Sequence, residues 1–120
     1  MAKKITMLFG VIFLVVGILG FFNNPILGLF EVNTVHNLIH IVSGIIALAM
    51  VSKGEAQAKL FGKVFGIVYA LVAVLGFLLP GGDIFGLMTV NMADNVLHIV
   101  LAIVFLWVGF GSMKSGMQTA

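Results

Sequence analysis

Four long apolar runs, separated by short polar or glycine-rich breaks, dominate the chain. They extend from about Ile5 to Phe22, from Asn33 to Val51, from Leu60 to Leu79 and from Asn91 to Gly111. A helix needs roughly 17–25 mainly apolar residues to cross about 30 Å of hydrocarbon, and all four runs fit. None alternates strictly between apolar and polar positions, which favours helices over tilted barrel strands. Hydrocarbon offers no partner to an open backbone group, so each run must close its own hydrogen bonds. The pattern predicts an all-α integral membrane protein, a single bundle of four transmembrane helices over residues 1–120. Lys3 and Lys4 ahead of the first run give the outline of a signal peptide. The following Phe21-Phe22-Asn23-Asn24-Pro25 has no small-x-small cleavage site, so this run is read as a mature helix.

Composition sharpens that picture. Hydrophobic residues make up 62% of the chain and charged residues only 8%, against about 25% charged in a soluble domain. A soluble globular domain, a disordered chain and a nucleic-acid binder are all excluded, and the bilayer is the expected partner. Without cysteine there is no disulfide, thiolate metal site or cysteine nucleophile. The six lysines carry the orientation. Lys3 and Lys4 precede the first run, Lys53, Lys59 and Lys63 lie between or at the edges of the second and third, and Lys114 follows the fourth. All fall on one side of a four-span arrangement, whereas the opposite loops carry Glu31 and Asp83. Lysine-rich loops stay inside, so both termini are expected in the cytoplasm.

The chain also repeats itself. Residues 28–42, GLFEVNTVHNLIHIV, match residues 86–100, GLMTVNMADNVLHIV, at eight of fifteen positions. The preceding runs correspond as well: Phe9-Gly10 with Phe65-Gly66, and Leu19-Gly20-Phe21 with Leu75-Gly76-Phe77. The halves 1–58 and 59–120 thus read as two tandem two-helix repeats. With two spans each, both keep the same orientation, which predicts a parallel repeat about an axis along the membrane normal. Gly10, Gly17 and Gly20 in the first run and Gly62, Gly66 and Gly76 in the third mark expected close helix contacts, either within the bundle or in a homo-oligomer.

The chemistry is concentrated in the outer halves of the second and fourth runs. One carries Asn33, His36, Asn37, His40 and Ser43; the other carries Asn91, Asp94, Asn95 and His98. Spacings of three and four put each set on one helix face. Polar groups at membrane depth face a bundle interior, so the two faces are expected to meet. Asn33 and Asn91 read as helix N-caps, and Asp94 then sits in a first turn, where the helix dipole favours a carboxylate. Asn37 and Asn95 read as interhelical hydrogen-bond groups within a structural polar cluster. His36 reads as a headgroup-level residue partnered by Asp94. His40 and His98 lie deeper and repeat one another. They are either a structural pair or ligands: axial ligands of a haem or chlorophyll, with Gly44 leaving room for a flat ring, or members of a metal set His36, His40, Asp94 and His98. No Walker loop, HExxH or nucleophile–base pattern occurs. A proton relay below His98 would have only Ser43, Ser52 and Ser112 to use.

The segment Gly86-Leu87-Met88-Thr89-Val90-Asn91-Met92-Ala93-Asp94-Asn95-Val96-Leu97-His98, its counterpart Asn33 to Gly44, and Gly66-Ile67-Val68-Tyr69 resemble the small four-span bacterial proteins grouped as DUF4383. That family shows a His-x-x-x-Gly turn in its second helix, matched by His40 and Gly44, and an Asp-Asn-x-x-His turn in its fourth, matched by Asp94, Asn95 and His98. Ala102 stands where the family has glycine. The resemblance covers nearly the whole chain and implies the fold and a bacterial inner membrane, with no activity attached. More loosely, the architecture is similar to that of DoxX-like proteins.

The leading expectation is a small non-enzymatic membrane protein with a structural or partner-binding role and no cofactor. Its rival is a tetrapyrrole- or metal-binding protein using His40 and His98, and an oligomeric transporter or channel ranks below both. The orientation is directly testable because the chain has no cysteine of its own. An Asp83→Cys variant should react with a membrane-impermeant maleimide in intact cells, and Lys53→Cys only after lysis. The reverse pattern would overturn the cytoplasmic termini.

Overall fold

A computed structural model describes residues 1–79, 81 and 83–111. The expectations attached to Ser112 and Lys114 lie outside these residues. Four helices account for most of the described chain: α1 (Ala2–Leu19), α2 (Thr34–Val51), α3 (Glu55–Leu78) and α4 (Met92–Leu106). A π-helical turn, Trp107–Gly111, extends α4. A two-stranded hairpin of β1 (Asp83–Ile84) and β2 (Met88–Thr89) precedes α4. All four helices, counting α4 with its π turn, are long and apolar enough to cross a membrane.

The boundaries depart from the hydropathy pattern where long-range contacts set them. α1 begins at Ala2 rather than Ile5 because Glu55, the first residue of α3, accepts hydrogen bonds from the backbone N–H groups of Ala2 (2.8 Å) and Lys3 (3.1 Å). A carboxylate placed there satisfies open donors of a helix start and meets its positive end. α1 ends at Leu19 with Gly20 as its cap, short of Asn24, which the following Pro25 keeps out of helix. α3 starts at Glu55 rather than Leu60, behind Gly54, because Glu55-Ala56-Gln57-Ala58 are strong helix formers. Lys59 is therefore on the helix and not in the loop.

The bundle is inside-out. Thr6, His36, Asn37, His40, Ser43, Asp94, Asn95 and His98 are buried, while Leu8, Val15, Leu71, Val74 and Ile103 lie more than half exposed on the outside. That distribution suits a hydrocarbon solvent, where polar groups must turn inward. Between helices the core is aromatic: Phe13, Phe61, Tyr69 and Phe105 pack with Ala47, Leu101 and Ala102.

α1 lies along α2, and α3 along α4, in two intimate pairs that touch each other more sparingly. Lipid tails are as apolar as the helix faces, so close packing has to hold each pair together. Small residues permit it. A Cβ on Gly44 would come within 2.7 Å of the Gly10 carbonyl oxygen, and one on Gly62 within 2.7 Å of the Phe105 carbonyl oxygen. The glycine contacts described here thus lie within the bundle. Gly44 faces α1, so the space expected for a flat ring is filled by the α1 backbone. The Gly109 Cα, in the π turn, is likewise pressed against Gly62.

Gly44→Ala and Gly62→Ala should each lower stability by about 1–3 kcal/mol, the usual cost of overpacking. Val15→Ala, on the exposed face, should change it by less than about 0.5 kcal/mol. Unfolding in mixed micelles compares the three; equal effects would contradict the assigned helix pairs.

Candidate metal centre

The outer loops build the site before the helices reach it. Asn33 caps α2, its side-chain oxygen accepting from the His36 N–H at 2.9 Å. Asn91 caps α4 in the same way, accepting from the Asp94 N–H at 2.9 Å, while Asp94 Oδ2 accepts from the Asn91 N–H at 3.0 Å. This is a reciprocal capping box. Both cap amides also donate across the molecule: Asn33 Nδ2 to the Leu87 carbonyl at 3.0 Å, and Asn91 Nδ2 to the Leu29 carbonyl at 2.8 Å. Each helix start is thereby tied to the loop that opens the other.

The turns that supply those carbonyls have matching backbones. Leu27 and Phe85 take positive φ (54° and 55°), and each precedes a positive-φ glycine, Gly28 or Gly86. Two successive left-handed residues are what a type I′ hairpin turn requires.

Below the caps, three imidazoles converge. His36 and His40, one turn apart on α2, have ring centroids 4.5 Å apart, and His36 lies 5.6 Å from His98 on α4. The backbones of α2 and α4 stand apart, so the rings span the gap between the two helix pairs. Each histidine offers a ring nitrogen, and these three nitrogens all lie within 4.8 Å of one another. Relative exposures are 0% for His36, 4% for His40 and 1% for His98. Phe13 stacks on His40 with an interplanar angle of 1°, and the Tyr69 ring lies 5.6 Å from that of His98. The Tyr69 hydroxyl is beside that of Ser43.

The hydrogen-bonding pattern is unequal. His36 Nδ1 lies 3.1 Å from the Thr89 carbonyl oxygen. A carbonyl only accepts, so Nδ1 carries the proton, and in the neutral ring the lone pair is on Nε2. That Nε2 has no partner, and neither do His40 Nδ1 nor either ring nitrogen of His98. Unpaired polar atoms inside a protein cost on the order of 1–3 kcal/mol each and call for a physical explanation. An imidazole with one nitrogen bonded to a backbone carbonyl and the other left free has the arrangement of a metal-ligating histidine.

The other sequence-derived site residues are placed as follows. Asp94 directs its carboxylate to the start of α4, with the Glu31 backbone nearby. It is outside the histidine group, and His36 is partnered by Thr89 instead. Asn37 and Asn95 act within the helix pairs: a Cβ on Gly20 would collide with the Asn37 amide, and one on Gly76 with that of Asn95. Their Oδ1 atoms have no hydrogen-bond donor and lie against Gly20 and Gly76. Two contributors escaped the sequence reading. Thr89 acts through its backbone and leaves no side-chain signal. Tyr69, the only tyrosine, could have been flagged as an isolated hydroxyl in an apolar helix.

A bundle of four apolar helices with its polar groups turned inward defines a multi-pass membrane protein. Residues 3–111 match the domain of unknown function DUF4383, and the chain belongs to that family. No curated protein and no solved structure matches it.

Asn91→Ala should cost about 1 kcal/mol, the typical value of an N-cap, and free the Leu29 turn as well. Hydrogen exchange should quicken at the Asp94 amide, with the middle of α4 unchanged. Unaltered protection at Asp94 would contradict the capping box.

Proposed function

We propose that this protein is a non-enzymatic membrane protein that holds one transition-metal ion between its two helix pairs, through His36 Nε2, His40 and His98. The observation that carries this reading is the convergence of three buried imidazole nitrogens, with His36 Nδ1 held by the Thr89 carbonyl and its Nε2 buried without a partner. Imidazole suits zinc, copper, iron and nickel. A bound ion at about 2.0–2.1 Å from each nitrogen needs them about 3.4 Å apart, so the rings must swing inward by roughly an ångström. A tetrapyrrole fits less well, because the His36 ring and the α1 backbone opposite Gly44 take up room that a macrocycle would use.

The same reading treats the protein as a tandem duplication. The reciprocal cap bonds, Asn33 to Leu87 and Asn91 to Leu29, and the paired turns at Leu27-Gly28 and Phe85-Gly86 support a two-fold relation between the halves. An ion on this axis would clamp one half to the other. Lysine placement supports cytoplasmic termini in a bacterial inner membrane, which puts the site in the outer half of the bilayer. Asn33, Asn91 and Asp94 then serve the helix starts.

The test is metal content and stability on the purified full-length protein. One equivalent of metal should survive dialysis and be lost in His98→Ala. At a free concentration of 100 times Kd the ion should add about 2.7 kcal/mol to stability, seen as a higher thermal midpoint. Equal metal content and equal midpoints in wild type and variant would overturn the proposal.

A further inference from the structure

The histidine group differs from a zinc site in two respects. The first is ligand number. Among the described residues three ligating side chains gather, not four. Asp94, the nearest acid on α4, commits an oxygen to the Asn91 N–H, and the Tyr69 hydroxyl, beside Ser43, is buried without a hydrogen-bond partner. Zinc(II) adopts four ligands, adding a water where the protein supplies three. Here the walls beside the rings are Phe13 and Tyr69, and of these only the Tyr69 hydroxyl could bond a metal-bound water.

The second is charge. Three imidazoles bind as neutral ligands, so an ion keeps its full charge within the shell. The chain's acids lie elsewhere: Asp94 at the α4 cap with Glu31 beside it, Asp83 exposed in the outer hairpin, and Glu55 at the start of α1. In the Born picture, desolvation rises with the square of the charge, so a divalent ion costs about four times as much as a monovalent ion of similar size. A closed-shell monovalent ion also accepts three donors without a fourth.

We infer that the ion is copper(I), held three-coordinate by His36, His40 and His98 in preference to any divalent metal. This rests on the metal reading above and adds the charge and coordination number. Phe13, stacked on His40, and Tyr69, beside His98, then flank the ion.

The test uses full-length protein in detergent, loaded without oxygen with copper(I) or, separately, with zinc(II) or cobalt(II). Competition with a copper(I) chelator and a zinc(II) chelator gives the affinities, and X-ray absorption gives the coordination number. The expected result is one copper(I) per chain with three nitrogen neighbours, and zinc(II) and cobalt(II) removed by the chelator. His36→Gln should weaken copper(I) by more than about tenfold, a loss at least as large as that of an outer-shell partner, with helical circular dichroism verifying its fold. Tighter, four-coordinate zinc(II) or cobalt(II) would overturn the copper(I) assignment and leave the metal reading intact. No retention of any of the three ions by the folded wild type would overturn both.

Discussion

Lone pairs on buried imidazole nitrogens, in a bundle whose solvent cannot hydrogen-bond to them, are the constraint around which this molecule is arranged. In water such a nitrogen would always find a donor. Between α2 and α4 it faces aromatic rings and other imidazoles. The backbones of these two helices stand apart, and the rings occupy the separation. The outer loops fix where the rings point: Asn33 starts α2 one turn ahead of His36, and the Thr89 carbonyl holds its Nδ1. A metal ion held there, as proposed, would turn that liability into a link between the two helix pairs. Binding to a group that the unfolded chain lacks would then contribute directly to stability.

The remainder of the bundle supports this by packing rather than by polar bonds. Within each helix pair, glycine brings backbones close enough for dispersion contacts to hold them without a hydrophobic driving force. Contacts between the pairs are sparser, so what joins them matters more: the aromatic core around Phe13, Phe61 and Phe105, the crossed cap amides, the Glu55 cap on α1, and the histidines. The fold thus concentrates its chemistry at the seam where its own packing is weakest.

Much of this was legible in the sequence, for identifiable reasons. Membrane spans announce themselves because hydrocarbon tolerates few charges, and the four helices fall on the four apolar runs. The asparagine caps were legible because a cap is a local event: Asn33 and Asn91 act on residues three positions away. The close glycine contacts were signalled by their helical spacing. Distant partners left no such trace. The early start of α1 depends on Glu55, more than fifty residues away. His36 seemed a companion for Asp94 because the repeat aligns their levels, yet a backbone carbonyl at Thr89 claims it and the local cap claims Asp94. In the sequence Gly44 reads as room for a ligand, but the α1 backbone fills that room. The π turn at Trp107 likewise follows a close approach to α3 that no local pattern encodes.

The central claim is that His36, His40 and His98 act together as one ligand set. Nitrogen-15 NMR of ring-labelled histidine, in lipid bilayers, reads it directly, because the chain has only these three histidines. The account predicts that a diamagnetic ion shifts one nitrogen of every ring together, saturating at one ion per chain, while His36 Nδ1 keeps its proton. Three rings that titrate independently, or that do not respond to any added ion, would contradict it.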